Sequence, residues 1–177
     1  MRLLLILLLF PLIGFPQDST NSYLNTIIEY QEKLNAEFAD PQQSPLTKKD
    51  LKKFKGLPFY PIDSTYRVQA KFIRTENAEP FEMATSTERR PVYEKFGEAR
   101  FQLNGQPLVL SIYQSHRLKA MEEYKNHLFL PFNDLTNGDG TYGGGRFIDL
   151  EIPEDSIIII DFNKAYNPLC AYNGKYS

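Results

Sequence analysis

Hydrophobic and polar positions change period along this chain. Leu24, Ile27, Ile28, Gln31, Leu34 and Phe38 recur at three- and four-residue spacing, the pattern of one buried helix face, and Asp40-Pro41 ends it. Thr47-Lys48-Lys49-Asp50 has the form of a capping box that opens a second, short helix closed at Gly56. From Tyr66 the period becomes two. Tyr66, Val68, Ala70 and Phe72 alternate with Arg67, Gln69 and Lys71, as expected of a strand with one buried face. Phe81, Met83 and Thr85 suggest another. Ala99, Phe101 and Leu103 lead to Asn104-Gly105, after which Leu108, Leu110 and Ile112 alternate again; Asn-Gly between two such runs signals a tight hairpin. Further strands fall at residues 128–132, 146–152 and 156–162. The expected fold is mainly β: an antiparallel sandwich or barrel of about seven strands with one or two N-terminal helices.

Ahead of these elements the chain reads as a signal peptide over residues 1–17. Arg2 supplies a positive end, residues 3–10 are uninterrupted hydrocarbon, and the sequence turns polar at Asp18-Ser19-Thr20-Asn21. The apolar run ends by Phe15, whereas a bilayer span needs about 20 such residues. The expectation is therefore an exported protein, periplasmic or secreted, whose single β-rich domain covers residues 18–177 and carries no membrane span.

Composition narrows the partners. Without Arg2 the chain has 19 Lys and Arg against 22 Asp and Glu, too balanced a charge for gripping nucleic acid. Eleven Tyr and 13 Phe, with no Trp, supply bulky core side chains. Lys48, Lys49, Lys52, Lys53 and Lys55 read as the solvated face of the second helix in preference to a membrane or anion patch.

Several motifs fail on inspection. Residues 138–143 satisfy G-x-G-x-x-G, but a dinucleotide fingerprint needs a helix next, and residues 146–152 read as a strand. The acidic loop from Asp134 has Asp139 where an EF-hand needs Gly, and Gly145 where it needs Glu. His116 and His127 are the only histidines, too few for a three-His metal site, and Cys170 is the only cysteine. No metal and no cofactor are expected.

Two stretches remain. The first holds Pro131-Phe132, Asp134, Thr136, Gly138, Thr141-Tyr142-Gly143, Gly145-Arg146 and Asp149; the second holds Asp161-Phe162-Asn163, Ala165-Tyr166-Asn167-Pro168 and Cys170-Ala171. With residues 54–61 and Tyr66-Arg67-Val68, they closely resemble the bacterial and archaeal family called domain of unknown function 1684. The resemblance implies no activity, since none is assigned to the family. It does imply that longer members continue past Ser177 with a second cysteine and a final strand. Cys170 would pair with that cysteine, and this chain would lack the strand.

The candidate site gathers at the glycine loop 143–145: Asp134, Thr136, Thr141, Tyr142, Arg146, Asp161, Asn163, Tyr166 and Asn167. If Pro153 to Ser156 turns an antiparallel hairpin, Ile148 pairs with Asp161 and Arg146 with Asn163. Arg146, Asp161 and Asn163 then form a polar cluster at the mouth of an apolar cavity walled by Tyr142 and Tyr166. This arrangement suits a small polar or anionic ligand such as a carboxylate, phosphate or sugar. Two alternatives stay open. One is a hydrolase using Asp134, Asp149 or Asp161 as acid and base with Arg146 as stabiliser; the other is a network that only satisfies irregular backbone. Two converging Asp with raised pKa values would mark an enzyme, and one Asp paired to Arg146 in an apolar cup would mark binding. The oligomeric state is not legible.

Overall fold

Helix α1 (Gln17–Ala39) turns Tyr23, Ile27, Tyr30, Leu34 and Phe38 inward at the expected spacing, while Ile28 is left outside the stripe and exposed. The computed structural model describes residues 17–177. The expected signal peptide, apart from Gln17, lies outside the described residues. Among those residues no helix is long and apolar enough to cross a membrane.

Thr47 caps helix α2 (Lys48–Leu51) as its sequence predicts: its hydroxyl accepts from the Asp50 N–H at 3.2 Å and donates to the Asp50 carboxylate at 2.6 Å. The helix stops at Leu51 rather than near Gly56. Its continuation packs Phe54 against Phe38 of α1, with ring centroids 6.1 Å apart.

Seven strands follow: β1 (Arg67–Arg74), β2 (Phe81–Glu82), β3 (Val92–Leu103), β4 (Gln106–Ser115), β5 (His127–Phe132), β6 (Arg146–Glu151) and β7 (Ile157–Asp161). All pairings are antiparallel. They form one sheet in the order β6-β5-β4-β3-β1-β7, with β2 added to the start of β3, curled into a half-barrel. The fold is thus of the barrel kind, with the long helix α1 in front. Asn104 and Gly105, at φ 51° and 75°, make the expected tight turn between β3 and β4, closed by Leu103 opposite Gln106.

Side-chain alternation sets the core on the concave face. Val68 and Ala70 of β1 lie opposite Ile160 and Ile158 of β7, and Leu128 and Leu130 of β5 lie opposite Leu150 and Ile148 of β6. Each fully buried residue of this set, such as Leu130 or Ile160, contributes about 1.5–3 kcal/mol through burial. A bulge at Phe96 breaks the β3–β4 register, and Gly97 beside it sits directly under Phe72. A Cβ at Gly97 would lie 2.5 Å from the Phe72 ring and 2.6 Å from the Ile73 carbonyl oxygen, so the strand can pass there only as glycine.

One expectation fails. β6 and β7 do not pair as a hairpin, because β6 takes β5 as its partner and β7 takes β1. The reason is burial. The ladder with β1 turns Ile158 and Ile160 into the core; the supposed register would have turned Ile157 and Ile159 inward instead. β6 and β7 are left as the two ends of the sheet, joined by a turn in which the Asp155 carboxylate accepts the Ile157 N–H at 2.6 Å.

Candidate functional site

The loop between β5 and β6 is stitched by its own side chains. Asp134 Oδ1 accepts the backbone N–H of Thr136 at 2.8 Å and its hydroxyl at 2.5 Å. Asn137 Oδ1 accepts the Asp134 N–H, and its amide donates to the Thr141 hydroxyl. Asn167 accepts the Tyr142 N–H at 3.1 Å, joining the loop to the segment after β7. Polar residues here satisfy backbone that no ladder pairs, so part of this motif serves the fold directly. Gly145, at φ 99°, brings the chain against the Phe132 carbonyl and Asn133, where a Cβ would lie 2.8 Å from each. That close approach delivers Arg146 to the first position of β6.

Arg146 shares the parity of Ile148 and so points to the concave side. Its Nε and Nη2 both donate to Asp134 Oδ2, at 3.2 and 2.5 Å. Nη1 takes no part in the pair. The guanidinium carbon lies 5.3 Å from the Phe132 ring centroid and 5.8 Å from that of Tyr60. Burial acts to raise the Asp134 pKa, but hydrogen bonds from the Thr136 hydroxyl, from Arg146 and from the Thr136 N–H, with the Arg146 charge, outweigh it and hold the carboxyl below its ordinary value.

This pair sits in the wall of a cavity of about 710 Å³. Phe101, Leu103 and Leu110 of the curled sheet make its floor, with Phe132 and Phe162 beside them. An irregular strap, residues 57–61, and Leu34 of α1 border the other side. The strap is fixed at both ends: Asn35 of α1 accepts the Leu57 N–H at 2.7 Å, and the Asn163 amide accepts from the Asp63 N–H and donates to the Asp63 carbonyl, both at 2.9 Å. Between these anchors Tyr60 reaches Gly140 so closely that a Cβ there would be 2.6 Å from its hydroxyl. Among the described residues, the charged ones bordering the cavity are Asp63, Asp134 and Arg146, a balance of −1.

Residues 52–177 match the family described as "Protein of unknown function (DUF1684)". The chain belongs to that family. The fold of this DUF1684 protein is also similar to the solution NMR structure of an uncharacterised protein of Haloarcula marismortui, at 30% identity and a TM-score of 0.68, over 90% of this chain and 86% of that one. No curated protein matches the chain.

Of the residues singled out in the DUF1684 sequence, Asp134, Thr136, Thr141, Arg146, Asn163, Tyr166 and Asn167 border the cavity. Asp161 and Tyr142 do not. Asp161 alternates with the core-facing Ile160 and so points away from Arg146; the expected Arg146–Asp161 pair does not form. Its Oδ1 instead accepts from the Tyr23 hydroxyl of α1 at 3.2 Å and from the Asn163 amide and N–H at 2.9 and 3.1 Å. Burial and the Asp161 charge push the Tyr23 pKa up to about 12. Tyr142 lays its ring against Gly144, where a Cβ would meet it at 2.6 Å, and contributes to the loop rather than to a ligand wall.

Asp149 faces the outer side of β6, where its two oxygens meet His127 and the Tyr166 hydroxyl, each at 2.9 Å. The three aspartates therefore serve three separate partner sets and do not converge. Sequence reasoning missed the strap and Tyr23. The strap carried a faint signal in Pro58-Phe59-Tyr60-Pro61, aromatic residues held between prolines in a segment with no period.

Proposed function

We propose that this DUF1684 protein binds a small amphipathic molecule, outside the cytoplasm, without transforming it. The observation that carries the reading is the Arg146–Asp134 pair in the wall of an aromatic cavity, with Nη1 left over as a donor among the described residues. One Asp is committed to one Arg, and its pKa is lowered, the reverse of what acid–base work requires. Export rests on the charged start, short apolar run and polar switch of residues 1–21.

The charge balance selects the head group. The Arg146 charge is already answered by Asp134, and Asp63 leaves the lining one charge negative. An anionic group brought within about 4 Å of a carboxylate meets about 4 kcal/mol of repulsion at an effective dielectric of 20, comparable to its attraction for the arginine. An uncharged acceptor, such as an ester or amide carbonyl or a sugar hydroxyl, takes the Nη1 hydrogen bond without that opposition. The ligand is then an apolar body with a neutral polar head.

Displacement of the neutral dye Nile red from the full chain tests this. A long-chain alkyl acetate should compete at least about tenfold better than the alkyl phosphate of equal length, and Arg146→Met should weaken the acetate by removing its donor while leaving the phosphate no better placed, since the lining then carries two uncompensated carboxylates. Competition by neither compound, or a preference for the phosphate, would overturn the reading.

A further inference from the structure

Among the described residues, five of the 13 large apolar side chains left exposed border this one cavity. Leu135 projects from the β5–β6 loop with its whole surface open, 102% of its reference area; Val109 and Leu108 stand at the end of the β3–β4 hairpin; Tyr60 belongs to the strap and Tyr66 follows it. Three separate chain segments thus converge on an apolar rim. A single exposed leucine is ordinary, but a collar around a cavity mouth marks a surface that meets something.

Charge indicates what it meets. The strap is entered directly from residues 48–55, whose five lysines are all exposed and whose one acid, Asp50, is tied to Thr47. Leu51, Phe54 and Leu57 turn inward beneath them. Lys55 is two residues from Leu57 on the cavity border, at most about 7 Å along the chain and inside the screening length of about 8 Å at physiological salt. Against them stand the exposed acids Asp139 of the glycine loop and Asp63 at the far end of the strap, too few to cancel five lysines. Exposed hydrocarbon next to a basic segment is the pairing that a negatively charged lipid surface satisfies, because the apolar tips enter the acyl boundary while lysines meet the head groups.

We infer that the cavity mouth docks on the surface of an anionic lipid bilayer through Leu135, Leu108, Val109 and Tyr60, with residues 48–55 as the electrostatic contact, and that the amphipathic ligand enters from that surface. The inference rests on the proposed binding function and supplies the source of its ligand. The lysine run is thereby both a solvated face in the free protein and the steering element of docking.

The absence of tryptophan from the sequence gives a clean test. Leu135→Trp in the full chain places one indole at the rim. With vesicles of phosphatidylglycerol and phosphatidylcholine its emission should shift to the blue and be quenched by brominated acyl chains; phosphatidylcholine alone should do neither. Adding Lys52→Glu, Lys53→Glu and Lys55→Glu should weaken the effect by about tenfold or more. The proposal is overturned if the protein is recovered on vesicles with the indole unshifted, if the shift ignores the three lysines, or if it arises in buffer and grows with protein concentration, which would assign the rim to a second copy of the chain. Nile red displacement by the same variant without vesicles keeps the two ideas apart. Ligand binding with no lipid contact removes only the docking surface, and lipid contact with no ligand binding removes only the cavity reading.

Discussion

Arg146 and Asp134 meet through a single carboxylate oxygen, Oδ2, while Thr136 holds the other. Truncating Arg146 strands a carboxylate that is mostly shielded from water. Arg146→Ala should therefore cost about 2–3 kcal/mol in denaturant unfolding, below the range for a fully buried pair because Asp134 keeps 28% of its side-chain surface. Combining Asp134→Asn with Arg146→Met should cost less than the sum of the two single changes. Strict additivity would show that the pair is not coupled.

The lowered Asp134 pKa has a fixed sign in pH dependence. Its folded value lies below the unfolded value of about 3.9, so the stabilisation is complete above that point and fades as pH falls through the folded value. Asp134→Asn should be less stable than the parent at pH 7, and the gap should close in acid. Thermal melts from neutral pH down to about pH 2 measure this directly; a gap that stays constant would assign the loss to something other than ionisation.

Gly140 is required by its neighbour as much as by its own φ of 105°. Gly140→Ala should strain the loop and push Tyr60 off it, at a cost of about 1–3 kcal/mol. Ligand affinity should fall with it, since the strap borders the cavity. Gly105→Ala is the control: it shares the positive φ but meets nothing within 4 Å. Equal effects of the two changes on ligand binding would remove the strap from the site.

The Tyr23 hydroxyl reaches Asp161 across 138 positions of sequence. Tyr23→Phe should cost about 1–2 kcal/mol, because Asp161 is only 7% exposed and loses a donor, while ligand binding stays as it was. Tyr166→Phe, whose partner Asp149 is half open to water, should cost less. The opposite ranking would contradict the burial argument.

These residues also show what the sequence could and could not carry. The Asn104-Gly105 turn, the Thr47 cap and all seven strands were legible because each is a local pattern of period or turn chemistry. The failure at β7 has an equally local cause. Ile157, Ile158, Ile159 and Ile160 do not alternate, so nothing in that run says which two face the core, and the error in parity carried Asp161 to the wrong side. The position of Arg146 at the start of β6 is legible from the strand period, yet its partner is not, since Asp134 lies 12 residues away across a loop whose path depends on Gly145. Tyr23 and the strap owe their roles to tertiary contacts that no short window contains.

The first and seventh strands meet with Arg67 opposite Asp161 and Lys71 opposite Ile157, a closure that joins points roughly ninety residues apart. Closing a loop of that length costs about 4 kcal/mol of chain entropy, several times what the β3–β4 turn demands. The hairpin can therefore assemble early and alone, but the concave wall is finished only when β7 arrives. A chain that has been synthesised only as far as β6 has no finished pocket. The cavity is complete only once β7 has found β1.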